Sequence, residues 1–376
     1  MITRRRLLSA SAATIALPRV LHAQGGNRIV LGQSAALSGP AAQLGIQFQQ
    51  GARLWFEQVN AQGGIGGRLI ELRTLDDGYE PERCAANTQK LIAEDVHALF
   101  GYIGTPTSLA ALPLLTKAQV PFIAPFTGAM ALREPFNRQV FHLRASYNDE
   151  TALIVRQLTH LGLKKIAVFY QNDAYGKAGL DGVSLALDKQ GLKPVASATV
   201  ERNSVDVAAA VRAITAAAPD AVVQISAYKS CAAFIRAARA AGYGGTFYNV
   251  SFVGTQALAD ELGKDAAGVV VSQVVPSPYA PARAIAREFA EAVRKAGGEM
   301  QANFSSMEGY LAARVVTEGL RRAGARLGSR EALVQGIEAI GQQNWGGFSV
   351  HFSASQHVAS TFVELSMLTG DGRVRT

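Results

Sequence analysis

Hydrophobic and polar residues alternate along this chain with two distinct periods. Short runs rich in β-branched residues are followed by alanine-rich stretches whose apolar positions recur every three or four residues. This pattern predicts strands alternating with helices, which is typical of an α/β fold with parallel sheets covered on both faces. The predicted strands are 28–35, 68–75, 97–101, 121–124, 165–170, 194–200, 221–226, 246–250, 268–273, 348–352 and 361–368. The predicted helices are 41–62, 81–94, 106–118, 149–161, 176–190, 205–217, 230–241, 255–262, 281–296, 303–325 and 329–340.

The same helix–turn–strand order occurs in both halves of the chain. Segment 48–76 resembles 180–199, and 81–100 resembles 205–226, which predicts two doubly wound parallel-sheet lobes. The helical block near 281–340 lacks strands for a third sheet, so we expect it to pack on the first lobe. The chain must then cross between the lobes several times through a hinge. The predicted domains are 27–145 with 276–355 for lobe 1, and 146–275 with 356–376 for lobe 2.

Residues 1–23 have the pattern of an export signal. Arg4, Arg5 and Arg6 precede a short run of apolar and small residues, and Ala23 provides a small residue for cleavage before Gln24. The arginines also fit a twin-arginine signal, although the general secretory route remains open. A basic N-terminal helix or a membrane anchor is the alternative, but the apolar run is about half the length that a membrane span needs. We therefore expect a protein that works in the periplasm.

Composition narrows the class further. The chain is 48% hydrophobic and 18% charged, as in ordinary globular proteins. Its net charge of +8 falls to +4 without the four signal arginines, and the remaining basic residues are spread out. A nucleic-acid-binding surface would require clustered basic residues, so nucleic acid is not an expected partner.

Two segments in the first lobe carry hydroxyl groups at predicted strand ends. In GYIGTPTS, Thr105 is the predicted N-cap and Pro106 the first residue of a helix, which leaves the N–H groups of Thr107 and Ser108 free. A helix N-terminus with such groups favours a carboxylate or another small oxyanion. Ordinary capping and turn formation could also explain these residues. The second segment, APFTGA, adds Phe126, Thr127 and Gly128 at the end of the next strand.

The second lobe offers aromatic groups at its own strand ends. Tyr175 follows predicted strand 165–170, Tyr228 follows strand 221–226, and Ser251 and Phe252 follow strand 246–250. Aromatic rings there could enclose an organic ligand between the lobes, with hydroxyls giving direction. Each tyrosine taken alone is as easily explained by packing. Their shared location is what indicates a ligand site.

Motifs for catalysis, phosphate loops and metal binding are missing from the sequence. The glycine-rich segment 63–67 links a helix to a strand, which indicates a turn; a phosphate loop links a strand to a helix. The six histidines form no ligand-spaced cluster, and the pair Asp76-Asp77 fits turn formation better than catalysis. Cys84 and Cys231 lie 147 positions apart and are expected to be unpaired thiols. We therefore expect no enzyme activity, metal or cofactor.

The order of several motifs resembles that of type I periplasmic binding proteins of the branched-chain amino acid class. The N-terminal string runs through SGP, NAQGGIGG and DDGYEP, and GYIGTPTS, VPFIAPFTGA and YGKAG follow in the family's order. The resemblance implies a hinged, two-lobed monomer that delivers a small ligand to the permease subunits of an ABC importer. By position, Thr105, Thr107, Thr127 and Gly128 would hold a ligand carboxylate, and second-lobe residues would close over it.

This chain departs from the family pattern at three points. Ser251 stands where amino-acid binders of the family place a glutamate for the ligand ammonium. Leu44 replaces a frequent aromatic residue, and Tyr79 and Gly104 replace a frequent cysteine pair. A buried ammonium without a carboxylate partner is costly, so the expected ligands are carboxylates without an α-amine, or small amides and ureas.

Three functions compete at this point. The first is an importer's solute-binding protein, the second is a ligand-binding subunit of a sensor or receptor with the same fold, and the third is an exported enzyme. The absence of an activated nucleophile weighs against an enzyme. Neighbouring permease genes would separate the first two functions.

Overall fold

The computed structural model describes residues 28–298 and 300–376. The predicted export signal therefore lies outside the described residues. Within them, no helix has both the length and the apolar character needed to cross a membrane.

The first lobe is built around a five-stranded parallel sheet. Its strands in chain order are β1 (Arg28–Ala35), β2 (Leu69–Asp76), β3 (Ala98–Phe100), β4 (Phe122–Ile123) and β5 (Val140–Phe141), with spatial order β2-β1-β3-β4-β5. The connecting helices are α1 (Ala42–Ala61), α2 (Pro81–Ala93) and α3 (Thr105–Ala118). The central strands are buried on both faces because helices cover each side, which explains their continuous apolar runs.

The second lobe is built around a seven-stranded sheet with the order β14-β13-β10-β9-β8-β6-β7. Its strands are β6 (Ile166–Gln171), β7 (Ala196–Val200), β8 (Ala221–Ile225), β9 (Thr246–Asn249), β10 (Val270–Gln273), β13 (Glu364–Leu368) and β14 (Val374–Arg375). Its helices are α4 (Tyr147–His160), α5 (Ala174–Asp188), α6 (Ala208–Ala216), α7 (Tyr228–Ala240) and α8 (Thr255–Leu262). β13 pairs antiparallel with β10, and β14 pairs antiparallel with β13.

The helical block that follows packs on the first lobe, as predicted. It contains α9 (Ala284–Ala296), α10 (Phe304–Ala323), α11 (Arg330–Glu338) and a hairpin of β11 (Gly341–Trp345) with β12 (Phe348–Phe352). Glycines allow α10 to lie close against α1: a Cβ on Gly309 would come within 2.0 Å of the Phe48 carbonyl oxygen. A Cβ on Gly51 would come within 1.8 Å of the Ser306 carbonyl oxygen. Larger residues would push these two helices apart.

The chain crosses between the lobes three times, after β5, after β10 and after β12. The first and third crossings pair with each other, because the His142 N–H donates to the His357 carbonyl at 2.8 Å and the Ala359 N–H donates to the His142 carbonyl at 2.8 Å. The doubly wound, multiply crossed α/β fold is therefore confirmed. The residue boundaries predicted for the two domains stay a prediction.

Element boundaries differ from the sequence-based expectations in a few places. Strands β5, β11 and β14 are absent from the predicted set, since each is short or polar and lacks a clear periodicity. The predicted strand 361–368 begins only at Glu364. Helices α4, α5 and α7 begin two residues earlier than predicted, which places Tyr147, Tyr175 and Tyr228 in first helical turns.

Candidate ligand site between the two lobes

The carboxyl ends of the central strands in both sheets face each other across a closed cleft. In the first lobe, Thr105 and Thr127 lie side by side with their hydroxyl oxygens 2.6 Å apart, and both side chains are fully buried. They come from the segments after β3 and β4, which are neighbours in the sheet. The expectation that the two hydroxyl-bearing strand ends meet at one place is therefore met, although ligand contact itself stays a prediction.

The N-terminus of α3 differs in detail from the prediction. Gly104 is the N-cap, with φ of 101°, and Thr105 is the first helical residue, so the predicted Thr105 cap is wrong. A Cβ at position 104 would approach the Tyr79 ring to 2.3 Å, so only glycine fits there. Because Thr105 is not occupied with capping, its hydroxyl is directed toward Thr127.

The other hydroxyls of this helix start are less available than expected. Thr107 donates to the Ile103 and Gly104 carbonyls, the latter at 3.0 Å, so its hydroxyl points back into the lobe. The Ser108 N–H donates to the Gly104 carbonyl at 3.2 Å, which corrects the prediction that this N–H is free. The Ser108 hydroxyl is buried without a partner among the described residues. Pro106 has no N–H, so the free donors of the first turn belong to Thr105 and Thr107.

Aromatic rings from both lobes meet beside the threonine pair. Phe126 of the first lobe contacts Phe252 of the second, with ring centroids 5.7 Å apart. Phe252 also contacts Tyr175 at 4.5 Å and Tyr79 at 5.9 Å. The Gln171 side-chain amide donates to the Tyr79 hydroxyl across the cleft at 3.1 Å. The lobes are therefore in direct contact around a largely apolar site with a few hydroxyls.

Two tyrosines of this site were missed by the sequence analysis. Tyr79 was noted only as a replaced cysteine, yet its backbone has φ of 67° and its ring reaches the second lobe. Tyr147 lies 5.4 Å from the Tyr175 ring. A Cβ on Gly128 would come within 2.7 Å of Tyr147, so this glycine allows the close approach. The position of Tyr147, two residues before the predicted start of α4, was the available signal.

Tyr228 takes a different position from the other predicted aromatic residues. It begins α7 and is buried, and its hydroxyl lies near the backbone of Gln43 in the first lobe. It is therefore part of the contact between the lobes. No described ring contact joins it to the cluster of Phe126, Tyr175 and Phe252.

Ser251 is held by a carboxylate that the sequence analysis did not identify. The Ser251 N–H and hydroxyl donate to Glu150 at 2.7 and 3.1 Å, and Ser272 donates to the same carboxylate at 2.5 Å. Glu150 is fully buried, and burial raises its pKa above the ordinary value. A buried carboxylate therefore lies beside Ser251, although no acidic residue stands at that position in the sequence. Glu150 lies 101 positions away on α4, so local sequence around Ser251 could not show it.

A buried ion pair supports the first-lobe side of the site. Arg144 donates from Nε and Nη2 to the two Glu308 oxygens at 2.8 and 2.7 Å, and both side chains are almost fully buried. The Arg144 guanidinium also lies 4.1 Å from the Phe126 ring centroid. Burial alone would lower the arginine pKa, but Glu308 outweighs it and the pKa is raised. This pair joins the first crossing segment to α10.

Other candidate chemistry has structural explanations. Asp76 accepts from the Leu37 and Gly78 N–H groups, and Asp77 accepts from Ser34 and the Tyr79 N–H, as expected for turn residues. Cys84 and Cys231 are free, buried thiols. Across the described residues, no three potential ligands group closely enough to hold a metal ion.

The fold and the cleft define a two-lobed, hinged ligand-binding protein. A family model described as periplasmic binding protein matches residues 28–371, so the chain belongs to that family. Within it, the chain is a type I member of the branched-chain amino acid class. The family consists of substrate-binding proteins.

Individual relatives agree with this assignment. The chain is 34% identical to a possible leucine/isoleucine/valine-binding protein from Rhodopirellula baltica SH 1, with a TM-score of 0.87 over 92% of this chain and 95% of the other. It is 30% identical to a substrate-binding periplasmic protein from Ralstonia solanacearum, with a TM-score of 0.86 over 92% and 99% of the two chains. Leu/Ile/Val-binding protein homolog 7 from Brucella suis is 28% identical, over 78% of this chain and 77% of the relative.

Proposed function

We propose that this protein binds a small organic carboxylate in the periplasm and delivers it to the membrane permease of an ABC importer. The family and its relatives support a solute-binding role in transport. The chemistry of the cleft supports the choice of ligand. Export would follow from the signal predicted in residues 1–23.

The observation that carries the proposal is the buried pair of hydroxyls at the start of α3. Thr105 and Thr127 share one hydrogen bond, which leaves the second hydroxyl proton of the pair free to donate to a ligand. The N-terminal end of α3 adds backbone donors and a favourable dipole for negative charge. These groups together suit a carboxylate.

The proposal does not require an α-amine on the ligand. Glu150 is the buried carboxylate nearest to Ser251, and it already accepts three hydrogen bonds from protein donors. Burial raises its pKa, whereas the Arg144 charge and the serine donors oppose that shift, so this carboxylate is already matched by groups of the protein. Carboxylates without an amine therefore remain the favoured ligand class.

A thermal-shift screen over amino acids, aliphatic and aromatic carboxylates, amides and ureas tests this proposal. A ligand at 100 times its Kd should add about 2.7 kcal/mol to the free energy of unfolding. A screen in which only ligands without a carboxylate raise the melting temperature would contradict the proposal.

Calorimetry on the Thr105→Val variant then tests the site. Loss of a hydrogen bond to a charged group should weaken binding of the identified carboxylate by about 10- to 150-fold. Thr215→Val is the matched control, because that hydroxyl bonds only to the Val211 carbonyl on α6, away from the cleft. A loss below threefold in folded Thr105→Val protein would rule out this anchor.

A further inference from the structure

A cavity of about 500 Å³ opens at the edge of the cleft beside the ligand site. Met130 and Ala131 of the first lobe form one wall, and α5 of the second lobe forms the other through Ala174, Ala178 and Leu185. We call this cavity the α5 groove. Because its walls come from both lobes, it is complete only when the lobes are together.

The α5 wall has the spacing of a single helix face. Ala174, Ala178 and Leu185 recur at four and seven positions, which places them along one side of the helix. The alanines leave space above the backbone, and Leu185 is 45% exposed at the outer end. Lys177 and Asp181 form an exposed pair at the rim, 3.4 Å apart. The groove is therefore lined mainly by apolar side chains, and Asn148, Lys177 and Asp181 are its polar groups.

Tyr147 connects the α5 groove to the ligand site. It lines the groove, and its hydroxyl faces the Thr127 side chain. That hydroxyl is buried and makes no hydrogen bond of normal geometry with the described residues. The tyrosine therefore presents an unpaired donor to the threonine pair and a ring to the groove.

We propose that the α5 groove holds the apolar tail of an amphipathic carboxylate whose head lies at Thr105, Thr127 and Tyr147. This inference rests on the proposed function and specifies its ligand class as straight-chain or aryl-substituted alkanoic acids. The rings of Phe126, Tyr175 and Phe252 pack against one another in the cleft, and Tyr147 borders both this cluster and the groove. The volume lies within the range of small-molecule pockets.

Binding of a homologous carboxylate series tests the proposal. Isothermal titration calorimetry of wild-type protein with butanoate, hexanoate, octanoate and 4-phenylbutanoate should show about fourfold tighter binding for each buried methylene. Affinity that does not depend on tail length, with Thr105-dependent binding retained, would overturn the groove and leave the proposed function standing. No binding by any member of the series would overturn the groove, whereas the proposed function fails only if the wider screen finds no carboxylate that binds.

Two variants locate the tail. Ala178→Phe fills the groove and should weaken octanoate at least tenfold while changing butanoate by less than threefold. Leu185→Asp changes an exposed residue, so folding is preserved, and it should weaken octanoate by about threefold to tenfold. Leu161→Asp is the matched control, since Leu161 is also an exposed leucine and lies beyond the end of α4. Equal loss of short and long ligands in both groove variants would contradict the proposal.

Discussion

The two halves of the cleft differ in their capacity for hydrogen bonds, although both are built at the carboxyl ends of parallel strands and both contribute aromatic rings. On the first-lobe side, Thr105 and Thr127 bond to each other and keep hydrogen-bonding capacity toward the cleft. On the second-lobe side, the Ser251 hydroxyl is used by Glu150, and the remaining surface is the rings of Tyr175 and Phe252. Free hydroxyl hydrogen-bonding capacity is thus found beside Phe126 on the first-lobe side, whereas the second-lobe side presents mainly rings.

The buried carboxylates on the two sides of the cleft also differ in the groups that pair with them. Glu308 forms a direct ion pair with Arg144, whereas Glu150 accepts its hydrogen bonds from neutral hydroxyls and an N–H and feels the Arg144 charge without a salt bridge. An ion pair of this kind loses much when one partner is removed, because the other charge stays buried and unpaired. Both buried carboxylates are therefore held by protein groups, one by a charged partner and the other by neutral donors.

The largest expected effect comes from breaking the first-lobe ion pair. Glu308→Gln should lower the free energy of unfolding by about 3–5 kcal/mol, because it leaves the Arg144 charge buried. Glu318→Gln on the same helix is the control, since its pair with Arg321 is partly exposed and should be worth less than about 1 kcal/mol. Urea unfolding measures both values. Equal losses in the two variants would show that the buried pair has no special role.

The second-largest expected effect is a pH dependence of the free energy of unfolding, caused by Asp77 in the turn before Tyr79. Burial raises the pKa of Asp77 to about 6, although bonds from Ser34 and the Tyr79 N–H oppose the shift. The folded pKa lies above the unfolded value of 3.8, so this stability contribution is complete below pH 4 and is lost as pH rises through 6. The loss by pH 7 should be about 3 kcal/mol, and Asp77→Asn should not show it.

Asp76 provides the opposite control for that measurement. Burial opposes the shift, but hydrogen bonds from Ser38 and two backbone N–H groups lower its pKa to about 2. Its contribution is therefore present above the unfolded pKa and lost as pH falls through 2. If the stability difference between wild type and Asp77→Asn stays constant from pH 4 to pH 7, the Asp77 assignment is wrong.

The smallest expected effects lie on the second-lobe side. Tyr175→Phe removes a buried hydroxyl that has no partner among the described residues, so stability should hold. Its ligand affinity should fall by about 2- to 13-fold if that hydroxyl reaches the ligand. Ser251→Ala should change affinity by less than threefold, because its hydroxyl serves Glu150. A loss of tenfold or more in Ser251→Ala would show direct ligand contact and remove the contrast between the two sides.

Local sequence was sufficient for most of the fold and for half of the site. Strands such as β1 and helices such as α8 have the predicted bounds because their apolar periodicity is strong. The meeting of Thr105 with Thr127 follows from adjacent strand ends, which parallel topology imposes.

The rest of the site depends on contacts between distant segments. Glu150 reaches Ser251 over 101 positions, and Arg144 reaches Glu308 over 164. Such pairs carry no local periodicity, so they emerge only when helices α4 and α10 are placed in space. The Thr105 cap was misassigned because Gly104 and Thr105 both fit a helix start, and only the Tyr79 ring decides between them.

Small-angle X-ray scattering tests the central claim, which is that the two halves of the cleft come together around the ligand. The profile should be recorded without ligand and with a saturating amount of the carboxylate that gives the largest thermal shift. We expect a smaller radius of gyration with ligand, and a scattering profile that then matches the structure with its two lobes in contact. An unchanged radius of gyration at saturation would contradict ligand recognition by closure of the two lobes.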